Sequence, residues 1–295
     1  MKIIKNIISG ALLLFSSLLF AQQESAFTLY RYHMNVINPA YTGVDNETMV
    51  MSSFRRQWTG VKEAPESQAV SFGTGVGKNL GLGLSMVSSK TFIEKQTTLG
   101  LDLSYKLKVN EGLDLYLGIK AGGNIYDVNT TGLQTYSLQV DPALGSINQF
   151  NPNVGMGLLL KNENYFLSLS VPRMLNTEHA KNKNGYASVA TDRPHIYLSG
   201  GYDLDLNPDA SLVLKPSFLL RYVKGIPASV DFGTMLQIQN NFEFGAMYRT
   251  DQAVAGMVDF TISKRMMFGY VYEVSTRSVM ATARNTNEFF IRFKF

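Results

Sequence analysis

From residue 47 onward, apolar and polar residues alternate one by one. In LGLDLSYKLKV, residues 99–109, Leu99, Leu101, Leu103, Tyr105, Leu107 and Val109 share one parity, and Gly100, Asp102, Ser104, Lys106 and Lys108 the other. A period of two is the strand signature, because successive side chains leave opposite faces of the pleat. The same alternation fills 113–121, 165–171, 242–248 and the terminal run Phe289, Ile291, Phe293, Phe295. It predicts 14 strands, at 47–57, 67–76, 80–90, 96–108, 113–128, 151–161, 164–172, 194–205, 210–222, 229–239, 242–250, 253–262, 266–276 and 286–295. Helical periodicity is absent downstream of residue 21.

Most of these strands are close to the roughly 9–11 residues with which a tilted strand crosses a bilayer. The connections alternate too. Those at 77–79, 110–112, 161–164, 205–210, 240–241 and 263–265 are short, polar and turn-forming, whereas 58–66, 91–95, 129–150, 173–193, 223–228 and 277–285 are mostly longer. The brief connection at Asp251-Gln252 departs from this scheme. Short turns on one side and long loops on the other are the asymmetry of an outer-membrane barrel, its short turns facing the periplasm. Tyrosines near predicted strand ends (Tyr126, Tyr165, Tyr202, Tyr222, Tyr248 and Tyr272) suit interfacial girdles. A soluble sandwich also alternates, but an even strand count and asymmetric loops favour an all-β transmembrane antiparallel barrel, apolar face to lipid and charged face to the lumen.

Composition agrees. Charged residues are 17% of the 295-residue chain, against about 25% in soluble domains, and aromatics are 12%. There is no cysteine, so disulfides and thiolate metal sites are excluded. Half of the net charge of +4 comes from Lys2 and Lys5, which gives no case for nucleic-acid binding. Those lysines precede an apolar stretch from Ile7 to Phe20 and a small residue, Ala21. The pattern is a secretory signal peptide over 1–21, leaving a non-barrel segment at 22–46 and a barrel over 47–295.

Candidate chemistry is thin. GTGVGK, residues 73–78, lacks the final glycine of a dinucleotide fingerprint and the Ser or Thr of a phosphate loop. DLDLNPD, residues 203–209, places Pro208 where a calcium loop needs glycine. His33, His179 and His195 lack ligand spacing, and no G-x-S-x-G occurs. Inward charges of both signs (Asp102, Lys106, Asp114, Lys120, Arg249, Asp259 and Arg292) suit ion pairing in a lumen or with a plug better than acid–base catalysis. No enzyme, cofactor or metal is expected.

NPAYTG (Asn38, Pro39, Ala40, Tyr41, Thr42, Gly43), then SFRRQWTG with Arg55, Arg56, Gln57, Trp58 and Gly60, then APESQAVSF at 64–72, resembles the PorP/SprF outer-membrane proteins of the type IX secretion system of Bacteroidetes. Similarity continues through 150–175, 193–222, 244–260 and 268–275. Two departures stand out: the opening QQESAFTLYRYHM lacks the usual acidic-aromatic start, and the final NEFFIRFKF lacks a preceding His. The resemblance implies a non-enzymatic outer-membrane component that binds and retains, or helps export, a surface protein with a type B C-terminal secretion domain, such as a gliding adhesin. It implies partners in outer-membrane lipid and other secretion components. The alternative is a passive channel for small or hydrophobic solutes. Three readings stay open for 22–46: it folds the barrel entrance, enters the lumen as a plug, or meets a periplasmic partner. Tyr136, Phe150 and Tyr186, in the predicted long loops, are the expected outer contacts for a partner.

Overall fold

The computed structural model describes residues 27–130, 147–178, 191–207, 209, 211–250, 253–276 and 285–295. Four 3₁₀ turns (Tyr30–Tyr32, Met34–Val36, Pro39–Tyr41 and Val44–Asn46) precede the sheet. The strands are β1 (Met49–Arg56), β2 (Glu66–Val76), β3 (Leu80–Thr91), β4 (Glu94–Asn110), β5 (Leu113–Val128), β6 (Ile147–Lys161) and β7 (Tyr165–Val171). They continue as β8 (His195–Tyr202, extended by Leu204–Asn207), β9 (Leu212–Val223), β10 (Ile226–Ile238), β11 (Phe242–Arg249), β12 (Ala253–Ser263), β13 (Met266–Ser275) and β14 (Asn285–Lys294). A two-residue ladder between Thr177–Glu178 and Thr191–Asp192 stands apart from them.

Every strand pairs antiparallel with its chain neighbours. β1 then pairs with β14 from Met49↔Lys294 to Arg56↔Asn287, and the sheet closes into a 14-stranded barrel. Closure is what hydrocarbon demands, since an open edge would leave backbone groups without partners. No helix among the described residues is long and apolar enough to span a membrane, and crossing is by strands.

The alternation in 99–109 now has its answer. Leu101, Leu103, Tyr105 and Val109 are exposed on the outside of β4, while Asp102 and Ser104 are buried inside. Their neighbours agree in register: Leu103 lies beside Ile119, and Asp102 beside Lys120. Tyr165 and Tyr202 mark the end near the short turns, and Tyr222, Tyr248 and Tyr272 face outward at the opposite end. Tyr126 departs from the predicted girdle. It lies opposite Gln96 and shares the inward parity of Lys120 and Asn124.

Two predicted loops are tight turns. β3 passes to β4 through Phe92-Ile93, and β9 to β10 through Lys224-Gly225, with Gly225 at φ 86°. β4 thus also includes Glu94-Lys95, and β6 begins at Ile147, so Phe150 stands on a strand rather than in a loop. The cause is physical. Beyond the membrane both faces of a strand are wet, so alternation fades although the ladder continues.

Outward charge should therefore be penalised by depth. Ile119→Arg, facing mid-bilayer, is expected to cost about 2–4 kcal/mol of folding stability, and Thr97→Arg, same parity but above the apolar band, about 0–1 kcal/mol. Denaturant titrations of barrels refolded into lipid vesicles check the difference.

Candidate lumen-plug site

Residues 27–48 run inside the barrel, between its walls. The descending chain starts in the outer half, beside Arg55 and Glu288, and reaches the short-turn end at Asp45, beside Lys161. It then reverses into β1.

At the outer end a buried ionic cluster grips it. Glu288 accepts the backbone N–H groups of Thr28 and Leu29 at 2.8 and 3.0 Å. Arg55 reaches Glu273 at 2.6 Å, Glu288 at 3.2 Å and the Thr28 hydroxyl at 3.0 Å. Arg249 bridges Glu273 at 3.1 Å and Asp231 at 2.9 Å, and Arg221 meets Asp231 at 2.8 Å. Three guanidinium groups thus face three carboxylates, all nearly inaccessible to solvent. Removing one partner of such a pair typically costs about 3–5 kcal/mol, because the other charge stays buried.

Below the cluster, Arg31 pairs with Asp203 and lies over the Phe166 ring, and the Tyr32 hydroxyl donates to Glu243. His33 sits between the Ser53 and Ser71 hydroxyls at 2.8 and 2.7 Å. Burial, with the nearby Lys120 charge, pushes its imidazole down to about 3, so it is neutral. Burial pushes the Tyr30 hydroxyl up to about 12 and that of Tyr41 higher still. Leu29, Tyr30 and Met34 pack on an apolar wall of Met51, Met235, Met247, Met257, Met267 and Phe290.

The NPAYTG motif occupies the opposite wall. Asn38 caps the Pro39–Tyr41 turn by accepting the Ala40 N–H at 2.9 Å, and its Nδ2 donates to the Leu158 carbonyl at 3.0 Å. Tyr41 meets Phe166 edge-on, and its hydroxyl lies beside those of Ser168 and Ser199. The Thr42 carbonyl accepts the Ser104 hydroxyl at 2.5 Å. Gly43 adopts φ +66°, with a hypothetical Cβ 2.6 Å from the Thr74 carbonyl, so only glycine fits. The wall answers with inward glycines. A Cβ at Gly118 would strike the Ala40 backbone, at Gly157 the Asn38 side chain, and at Gly81 the Thr42 carbonyl.

The second motif is divided by parity. Arg55 enters the lumen, whereas Arg56 pairs outside with Glu66 at 3.3 Å. Gln57 bonds Pro65, Trp58 turns the chain at φ 51°, and Gly60 (φ 97°) follows in the same loop. Thr59 ties that loop to Asn285 and Asn287 of β14. Phe150 faces outward on β6. Tyr136 and Tyr186 lie outside the described residues. Among the inward charges, Lys120 pairs with Asp102 at 3.0 Å and Lys106 with Asp114 at 2.6 Å. Glu273, Glu288 and Asp231 were not singled out by sequence; their inward parity in β13, β14 and β10 was the available signal.

A closed sheet with an apolar exterior and an ionic, filled interior is an outer-membrane β-barrel. Solved structures share the fold. The Acinetobacter baumannii outer membrane protein Omp33 aligns at 9% identity and TM-score 0.50, over 85% of this chain and 98% of its own. The CymD monoaromatic hydrocarbon channel aligns at 11% identity and TM-score 0.51, over 92% and 94%. No curated protein matches by sequence. The family model for the type IX secretion system membrane protein PorP/SprF matches residues 19–293, and the chain belongs to that family. It is therefore an outer-membrane component of type IX secretion, with membrane and secretion-system partners.

Gly118→Val should place a branched side chain against Ala40. The expected result is a folded, heat-modifiable barrel whose residues 27–48 become protease-sensitive, at a cost of about 1–3 kcal/mol. Limited proteolysis beside the outward-facing control Leu117→Val checks this.

Proposed function

We propose that this protein is a plugged, non-enzymatic docking barrel that binds and retains, or helps export, a surface protein bearing a type B C-terminal secretion domain, such as a gliding adhesin. The observation that carries this reading is the occupied lumen. Residues 27–48 are stapled to walls on opposite sides of the barrel, through Glu288 on β14 and Leu158 on β6. A passive pore of this strand number would hold an aqueous channel. Here that space is taken by packed side chains and ion pairs, which suits a protein that works through its ends.

The partner is assigned to the outer end, the end of the strands from which the connections 57–65, 129–146 and 172–194 depart. Gln57, Trp58 and Gly60 belong to the first, and Tyr136 and Tyr186 to the other two. Aromatic side chains on loops held by a rigid scaffold are the usual material of recognition surfaces. Asn38 to Gly43 and Arg55 serve this function indirectly, by holding the lumen filled.

Deleting residues 177–190 should spare membrane insertion and abolish retention of the partner. Co-purification from detergent-solubilised membranes measures it. A surface protein with a type B domain that accompanies the wild type and is lost with the deletion is the expected outcome; a partner that survives the deletion contradicts the loop assignment.

A further inference from the structure

β5 follows β6 along its whole length, from Val128↔Ile147 to Asp114↔Lys161. β7 does not. Its pairing with β6 stops at Met156↔Val171, and β8 pairs with β7 only as far as Tyr197↔Ser170. Past Val171 the chain leaves the wall and passes behind Gly155, where a Cβ would lie 2.6 Å from the Pro172 carbonyl carbon. Asn153 holds it there: its Oδ1 accepts the N–H groups of Met174 and Leu175 at 2.9 and 3.0 Å, and its Nδ2 donates to the Leu175 carbonyl at 2.9 Å. Among the described residues, a notch one strand wide is left in the barrel sheet between β6 and β8.

The β6 edge along that notch is chemically legible. In an antiparallel ladder a residue aims both backbone groups at one neighbouring strand, and the next residue aims at the other. Val154 faces the notch: its carbonyl accepts the Met174 N–H at 2.8 Å, and its own N–H is taken by Asn153 Oδ1 at 2.9 Å. Residues 152, 150 and 148 share its direction. Pro152 has no N–H to leave open, and proline inside a sheet belongs on such an edge. Phe150 and Asn148 each aim an N–H and a C=O into the notch, and no described residue engages them through its backbone.

The edge lies at the outer rim. The outward apolar band of β4 ends at Leu99, which lies opposite Gly123, itself opposite Pro152. Phe150 stands just beyond, 58% exposed. Water can reach its backbone there, so the open edge is compatible with a membrane protein. On the inward side, Asn151 is 8% exposed, and its Nδ2 donor has no partner among the described residues.

We propose that the β6 edge over Asn148–Pro152 captures an extended segment of the secreted partner, which adds there as a further strand. This rests on the docking function proposed above and names its site. The occupant is a polypeptide because only another backbone offers donors and acceptors at the two-residue repeat of the free groups, about 6.8 Å. The segment alternates: apolar residues beside Phe150 at the membrane interface, polar residues inward, where Asn151 supplies a donor. A hydrocarbon chain could cover Phe150 but would leave the free N–H groups unanswered.

The test uses the full-length barrel in lipid nanodiscs and, as probe, a purified type B C-terminal secretion domain from a surface protein of the same cell. Asn148→Pro and Phe150→Pro remove edge N–H groups that β5 does not use. Both variants should fold and bind the domain at least tenfold more weakly than the wild type. Amide exchange gives a readout independent of variant folding: the Asn148 and Phe150 N–H groups should exchange fast in the free barrel and become protected on binding. Equal binding by both folded variants overturns the edge assignment while leaving the docking function standing. So does protection already present in the free barrel, which would mean that the chain's own loops cover the edge. No binding by the wild type overturns the docking function and this site together.

Discussion

Hydrocarbon offers no hydrogen bonds, and the architecture follows from that constraint. A sheet crossing the membrane must pair every strand, so β1 meets β14 and the sheet closes. Closure with a period of two then sorts residues without further instruction: one parity meets lipid, the other faces inward. The inward parity encloses a space too wide for its own side chains to fill. Arg55, Arg221, Arg249, Asp231, Glu273 and Glu288 pair among themselves there, and Thr28 and Leu29 add hydrogen bonds to Arg55, Glu273 and Glu288 while residues 27–48 fill the space. Plug and wall are thus one packing unit, not a barrel with an insert.

The two sides of that unit differ in kind. Against β2 to β6 the fit is steric: inward glycines let the NPAYTG turn lie against the backbone of the wall, and a Cβ at Gly81, Gly118 or Gly157 would expel it. Against β9 to β13 the fit is soft, made by methionines that adapt to irregular gaps, with ionic ties above and below. The glycine side sets where the segment lies, and the ionic cluster sets how firmly its upper end is held.

Much of this was legible from residue order. Strand number and face came from alternation alone, because lipid on one side and fixed charge on the other make parity unambiguous within the membrane. Where the chain rises into water the signal faded, and Glu94-Lys95 and Ile147–Phe150 read as loop although they belong to β4 and β6. Tyr126 was misplaced because nearness to a strand end was weighed without its parity. The charges of the lumen could be enumerated, but not their partners: Arg55 and Glu273 are 218 residues apart, and only the barrel's register brings them within 2.6 Å.

The central claim is that a segment of the chain itself fills the closed barrel. Conductance of the purified protein in planar bilayers tests it most directly, with and without residues 22–46. The account predicts an electrically silent wild type and steady ohmic current after the deletion. Sustained current through the intact protein would contradict it.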